Sequence, residues 1–201
     1  MAYSDFTLRK VKEELNIQIA EQSGIFEGIA EIAPSPLLIE ILKEHVSLAL
    51  AINTEKARSE LIIAMILVEL RRMFDKKISF FSGIEFTVDK DKGLNGFCDY
   101  LISASAEQLM LEFPVVAIVE AKNENLIGGL GQCIAEMVAA DIQNRKEHQP
   151  TEAIYGVVTS GNAWKFIKLQ QGVAYIDMKE YYIDHAGKIL GILRAMVRQV
   201  A

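Results

Sequence analysis

The stretch Phe113-Pro114-Val115-Val116-Ala117-Ile118-Val119-Glu120-Ala121-Lys122 decides how this chain folds. Its β-branched, nearly unbroken apolar run reads as a strand covered on both faces. Side chains alternate along a strand, so Glu120 and Lys122 share one side and Ala121 takes the other. An acid and a base ending a dry strand are costly unless a partner or a ligand compensates them. A second strand-like run, Asn95 to Ser103, carries another carboxylate, Asp99, between Phe97 and Leu101. Two acids and a lysine brought together by neighbouring strands would suit a hard metal ion and a phosphate.

Upstream of this strand the pattern is mostly helical. Residues 5–20 start with helix-like spacing and drift toward alternation, and Pro34-Ser35-Pro36 breaks the chain. Leu37 to Ile52 then predicts an amphipathic helix, with Leu38, Ile41, Leu42, His45, Leu48 and Ala49 on one face. Asn53-Thr54 offers an N-cap, and Glu55 to Phe74 predicts the longest helix. From Ile78 the period changes toward two, giving a strand over Phe80 to Val88 and a solvated turn at Asp89-Lys90-Asp91-Lys92-Gly93. Downstream, Gly128-Gly129-Leu130-Gly131 precedes a helix expected from Gln132 to Arg145, whose small face (Ala135, Ala139, Ala140) would pack closely on a sheet. Tyr155 to Thr159 and Ala163 to Leu169 predict two strands joined by Ser160-Gly161-Asn162, and Ile189 to Val200 a closing helix. The order implies an α/β or α+β chain.

Composition narrows the functional classes. The chain has 201 residues, 51% hydrophobic and 24% charged, enough for a sizeable core without staples. Its formal charge of −6 argues against a broad basic surface, so any nucleic-acid contact must be local. Cys98 and Cys133 lack the number and spacing of a zinc site and read as buried thiols in a reducing cytoplasm. No signal peptide is expected at Met1-Ala2-Tyr3-Ser4-Asp5-Phe6, and the apolar run Leu61 to Val68 is too short to span a bilayer. A cytoplasmic protein with no membrane contact is the expectation.

Phosphodiester hydrolysis needs an activated water, a neutralised phosphorus centre and a stabilised leaving oxygen, which magnesium held by carboxylates can supply. Asp99 and Glu120 suit the carboxylate role, the Ala121 carbonyl could be a third ligand, and Lys122 suits the phosphate or the water. Glu60, near the start of the long helix, and Gln132, whose amide both donates and accepts, could complete the site.

The order Glu60 on a helix, Asp99, Glu120-Ala121-Lys122 and Gln132 resembles the PD-(D/E)xK nuclease superfamily, the fold of many restriction endonucleases. Tyr155 to Phe166, with Thr159-Ser160-Gly161-Asn162 and Trp164, is similar to the Thr-Asn-Gly…Trp pattern in the N-terminal nuclease part of type I restriction subunits. The resemblance spans residues 55–170 and departs from the pattern at two places. Cys98 stands where a proline often precedes the acid, and Glu136 where an aromatic usually follows the glutamine by four. It implies a central mixed β-sheet flanked by helices, with 1–52 as a helical N-terminal extension and 53–201 as the nuclease domain. It further implies Mg2+ or Mn2+ ligated by Asp99, Glu120 and Ala121, catalysis by Asp99, Glu120, Lys122, Gln132 and Glu60, and DNA as partner. Many nucleases of this fold cut two strands as dimers, so the resemblance also allows a homodimer.

Plainer readings compete. Glu120 and Lys122 could be a strand-end ion pair, Glu60 a first-turn acid favoured by the helix dipole, and Gln132 an ordinary first-turn polar residue. Trp164 reads more naturally as a core aromatic than as a base-stacking platform. His45, His148 and His185 are scattered without ligand spacing, and the glycine run lacks the Lys-Ser/Thr of a phosphate loop. A non-cleaving binding module with the same fold, or a hydrolase of small phosphoesters, would carry the same residues.

Overall fold

A computed structural model of the chain describes residues 1–198. It is an α/β structure around a central mixed sheet of eight strands. In chain order the strands are β1 (Gln18–Gln22), β2 (Ser79–Glu85), β3 (Phe97–Ser103), β4 (Val115–Ala121), β5 (Ile154–Thr159), β6 (Ala163–Gln170), β7 (Val173–Asp177) and β8 (Tyr181–Tyr182). The sheet order is β1-β7-β6-β5-β4-β3-β2, with β8 pairing on β6. Strands β2, β3 and β4 form an antiparallel meander, and β5 lies parallel to β4 after a helical crossover.

The predicted central strand is β4, and all seven of its residues are buried. Ile118 shares one buried cluster with Val11 of α1 (Leu8–Glu14) and Ile134 of α5 (Leu126–Lys146). On the opposite face Val119 and Ala121 join the cluster of α2 (Pro36–Ile52), α4 (Ala64–Met73) and α6 (Ala186–Arg198). Burying each of Val115, Val116, Ile118 and Val119 contributes about 1.5–3 kcal/mol, which fixes the strand at the centre of the sheet. Their burial leaves the polar end of the strand, Glu120 to Lys122, emerging at one edge of the core.

Local signals set the helix ends. Ser35 caps α2 by accepting the Leu38 N–H at 3.2 Å, with Pro36 in the first turn, and Asn53 ends it in the left-handed region. Thr54 caps α3 (Glu55–Arg58) by accepting from Ala57 N–H at 3.2 Å. The helix expected over 55–74 is not continuous, because a π-helical turn, Ser59–Ile63, separates α3 from α4. The Ser59 carbonyl takes the Ala64 N–H five residues on and also the Tyr100 hydroxyl at 2.9 Å, which opens the ladder there.

Three other expectations are corrected. The helical extension over 1–52 contains a strand: β1 pairs in parallel with β7, and the Gln18 N–H bonds the Gly172 carbonyl at 2.9 Å. The alternation begun at Ile17 and Ile19 was therefore that of an edge strand. The glycine run is helical, because α5 starts at Leu126, capped by Asn125 accepting the Gly128 N–H at 3.0 Å. A Cβ at Gly131 would collide with the Phe6 carbonyl, so the glycines serve close packing. Strand β2 stops at Glu85, short of the expected Val88; beyond it the Phe86 N–H bonds Gly96 O at 2.8 Å. The end of the last helix at Val200 lies outside the described residues. Among these residues no helix is long and apolar enough to cross a membrane.

Candidate active site

The antiparallel β3–β4 ladder pairs Tyr100 with Val119, and immediately beyond it a side chain takes over the bonding. Asp99 Oδ2 accepts the Ala121 N–H at 2.8 Å, while the Lys122 N–H turns to Thr159 O of β5 at 2.8 Å. Within a strand residue the N–H and C=O point to the same neighbour, so the Ala121 carbonyl follows its N–H toward β3. Asp99, Glu120, Ala121 and Lys122 thus meet where β3 and β4 part, the end that the alternation of β4 leaves polar.

Glu120 is 1% exposed, and its Oε1 accepts the Lys122 ammonium. Its Oε2 is buried and has no hydrogen-bond partner among the described residues. Burial and then the Asp99 charge push the Glu120 carboxyl from 4.5 up to about 8, against the pull of Lys122. Burial pulls the Lys122 ammonium down, but the Glu120 charge and hydrogen bond outweigh it, and its pKa is raised. The pair therefore holds its positive member firmly and its negative member poorly.

Helix α5 closes the site from one face. Gln132 Oε1 accepts from Lys122 Nζ at 3.4 Å, and Gln132 Nε2 donates to Glu136 Oε1 at 3.1 Å. Gln132 sits in the second turn of α5, not the first, so it is not an ordinary helix-start polar residue. Gly129 lets the helix approach: a Cβ there would lie 3.0 Å from Lys122 Cε and 2.8 Å from Val158 Cγ1. Glu136 is 0% exposed, and burial followed by the Glu120 charge raises its pKa well above the ordinary carboxyl range.

On the other side the β3–β4 edge opens into a cavity of about 360 Å3, lined by Glu55, Lys56, Ser59, Glu60, Asp99 and Ala121 among others. Glu60 stands at this mouth on the π-helical turn, 64% exposed by side chain and 3.8 Å from Lys56. The structure thus brings Asp99, Glu120, Ala121, Lys122 and Gln132 into one connected cluster and leaves Glu60 at its solvent rim. Two further residues belong here: Glu55, which the sequence did not single out and which lines the cavity and raises the Glu120 carboxyl, and Glu136 behind Gln132, which the sequence showed only as a departure from the family pattern. Glu55 was signalled only by its place at the start of the predicted helix, five residues before Glu60.

Among the described residues no group of three or more His, Cys, Asp or Glu side chains is arranged to hold a metal ion. The donors that fit one are fewer: the Asp99 and Glu120 carboxylates and the Ala121 carbonyl. A set of two carboxylates and a carbonyl suits Mg2+ or Mn2+, which keep several waters, rather than Ca2+ or Zn2+. The unpartnered Glu120 Oε2 is the observation that favours such an ion, because a buried carboxylate oxygen without a donor is costly.

Trp164 is 0% exposed, and its indole N–H donates to Gly161 O at 2.8 Å, so it is a core aromatic that locks the β5–β6 turn. Cys98 and Cys133 are both free and buried, and burial raises both thiols, keeping them protonated. Comparison of the sequence with protein-family models and with curated proteins finds no match.

Proposed function

We propose that this chain is a metal-dependent nuclease with a restriction endonuclease-like fold, hydrolysing phosphodiester bonds in DNA with Mg2+ or Mn2+. The observation that carries the reading is one connected cluster around a buried, under-bonded carboxylate: Asp99 of β3 on the Ala121 N–H, Lys122 just beyond β4 on Glu120, and Gln132 of α5 on Lys122. The element order supports it: a helix bearing Glu60, an antiparallel meander, a crossover helix and a parallel strand. When bound, the ion supplies activation of the attacking water and neutralises charge on the phosphate.

The chain's own residues do the rest. Asp99, Glu120 and the Ala121 carbonyl would hold the ion at the sheet edge. Lys122, with three donors and only two acceptors in the cluster, would present a donor to a phosphate oxygen or the nucleophilic water. Gln132 keeps Lys122 on the α5 side through its amide oxygen. Glu60, at the mouth, is an auxiliary acid that can hold an outer water. Burial of Glu120 strengthens each of these electrostatic contacts.

Plasmid DNA incubated with purified protein tests the reading. Cleavage is expected with Mg2+ or Mn2+, none with chelator, and none from Asp99→Ala under either ion. Absence of cleavage of duplex DNA, single strands and RNA with both ions would sink it.

A non-cleaving module that keeps the fold is the second reading. It is favoured by the acid-rich mouth, where Glu55, Glu60 and Asp99 face Lys56, in a chain of formal charge −6. Such a mouth repels a polyanion until a cation is bound. Mn2+ binding without turnover on any polynucleotide would identify it.

A further inference from the structure

The buried carboxylate of Glu136 has no role in the reading above, yet it is the only side chain to which the Gln132 amide nitrogen is seen to donate among the described residues. Lysine has three donors and no acceptor, so a glutamine facing Lys122 must present its oxygen. That leaves the Gln132 Nε2 pointing away from Lys122, deeper into the protein. Left unpaired there, the amide would lose this preference and could turn, offering N–H groups to an ammonium that cannot accept them. Glu136 Oε1, at 3.1 Å, supplies the acceptor that removes the alternative. The acid sits one turn after Gln132 on the same helix, so α5 itself fixes the spacing.

We propose that Glu136 is a positioning residue that locks the Gln132 amide with its oxygen toward Lys122, so that Lys122 keeps an acceptor when Glu120 is taken by a divalent cation. In the metal-free protein Lys122 has two acceptors, Glu120 Oε1 and Gln132 Oε1. A cation on Glu120 competes with the ammonium for the same carboxylate. Without a correctly turned Gln132, Lys122 has Glu120 alone to hold and resists giving it up. The Glu136–Gln132 bond therefore lowers the cost of admitting the ion and leaves the lysine aimed rather than loose. The remaining Glu136 oxygen is buried and has no partner among the described residues, which a purely structural acid in a well-packed helix would not need.

This inference rests on the proposed metal site only in its second half, and the test separates the two. Hydrogen exchange of the Gln132 side-chain amide, followed by NMR in metal-free protein, reads the lock itself. Wild type is expected to show a slowly exchanging amide. Glu136→Leu should speed its exchange at least tenfold. Glu136→Gln, whose carbonyl still accepts, should stay within about twofold of wild type. Calorimetric Mn2+ binding reads the consequence. Gln132→Met and Glu136→Leu should each weaken Mn2+ binding several-fold, and the double variant no more than Gln132→Met alone, because one acts through the other. Additive losses would show that Glu136 acts independently of Gln132 and overturn the proposal. So would a Gln132 amide that exchanges equally fast in wild type and Glu136→Leu. A protected amide in wild type that binds no Mn2+ would uphold the lock and remove the nuclease reading instead. If Glu136→Leu does not fold, Glu136→Gln against Gln132→Met carries the same comparison: equal Mn2+ affinity in the two would overturn the proposal.

Discussion

Asp177 and Glu120 are both buried carboxylates on strands of one sheet, and they are treated oppositely. Asp177 Oδ1 accepts the N–H groups of Gly24 at 2.8 Å and Lys179 at 3.0 Å. Its Oδ2 accepts the Phe26 N–H at 3.3 Å and the Tyr181 hydroxyl at 3.0 Å. Glu120 has Lys122 on one oxygen and, among the described residues, no partner on the other. The neighbouring lysines differ in the same way. Lys165, 2% exposed, donates to the carbonyls of Asp177 at 3.1 Å and Met178 at 3.2 Å, while Lys122 holds the under-bonded acid. A carboxylate that ties segments together is saturated with donors. Glu120 is left with acceptor capacity to spare, which fits the proposed cation site.

The largest expected difference lies in catalysis. Lys122→Ala should lower divalent-dependent DNA cleavage by at least 1000-fold, about 4 kcal/mol of barrier, while the protein still folds. Far-UV circular dichroism and plasmid nicking rates read the two arms. Cleavage within tenfold of wild type would show that the lysine is only an ion-pair partner.

Next comes stability. Asp177→Ala strands four donors and should cost roughly 3 kcal/mol or more in urea unfolding. Glu120→Gln, whose amide oxygen still accepts from Lys122 and which takes up no proton on folding, should change metal-free stability by less than about 1 kcal/mol, or raise it. Equal losses in the two variants would erase the distinction between a saturated and a waiting carboxylate.

A pH series sharpens the same contrast. The folded protein holds a proton on Glu120 up to about 8, whereas the unfolded chain releases it near 4.5. The stability it confers is whole below 4.5 and is lost as pH rises to about 8. Glu136, shifted the same way, adds to the slope. In chelator, unfolding free energy should fall from pH 5 to pH 8, and Glu120→Gln should flatten the fall. Mn2+ should reverse the trend, because ligation requires the deprotonated carboxylate. A flat wild-type profile in chelator would contradict the buried-acid reading of Glu120.

The smallest effect concerns Trp164. With its indole N–H bonded inside the β5–β6 turn, Trp164→Phe should cost about 1–2 kcal/mol of stability and leave cleavage within twofold. A selective loss of DNA affinity at unchanged stability would return it to the substrate.

Much of this was legible in residue order. The β-branched run Val115 to Val119 marked the central strand, and alternation alone put Glu120 and Lys122 on one side. Ser35-Pro36 and Asn53-Thr54 marked the ends of α2 because caps are local chemistry. What escaped depends on partners distant in sequence. Strand β1 carries Gln18, Glu21 and Gln22 and gains its extended form from β7, more than 150 residues away. Strands β7 and β8 are short and mixed in polarity, and their pairing with β6 is tertiary. The glycines of α5 looked like a loop because their cause, contact with Phe6, Val158 and Lys122, lies outside the helix. At the site, residue types and strand alternation pointed to Asp99, Glu120 and Lys122. Glu136 could be noted as an extra acid, but its complete burial could not be read from a one-dimensional pattern.

The central claim is that Glu120 is kept under-bonded for a cation shared with Asp99 and the Ala121 carbonyl. Anomalous diffraction from crystals soaked in Mn2+ tests it most directly. A single strong manganese peak is expected beside the Asp99 and Glu120 carboxylates, with Lys122 shifted toward Gln132. Saturating Mn2+ with no peak there, and Glu120 still bonded only to Lys122, would contradict it.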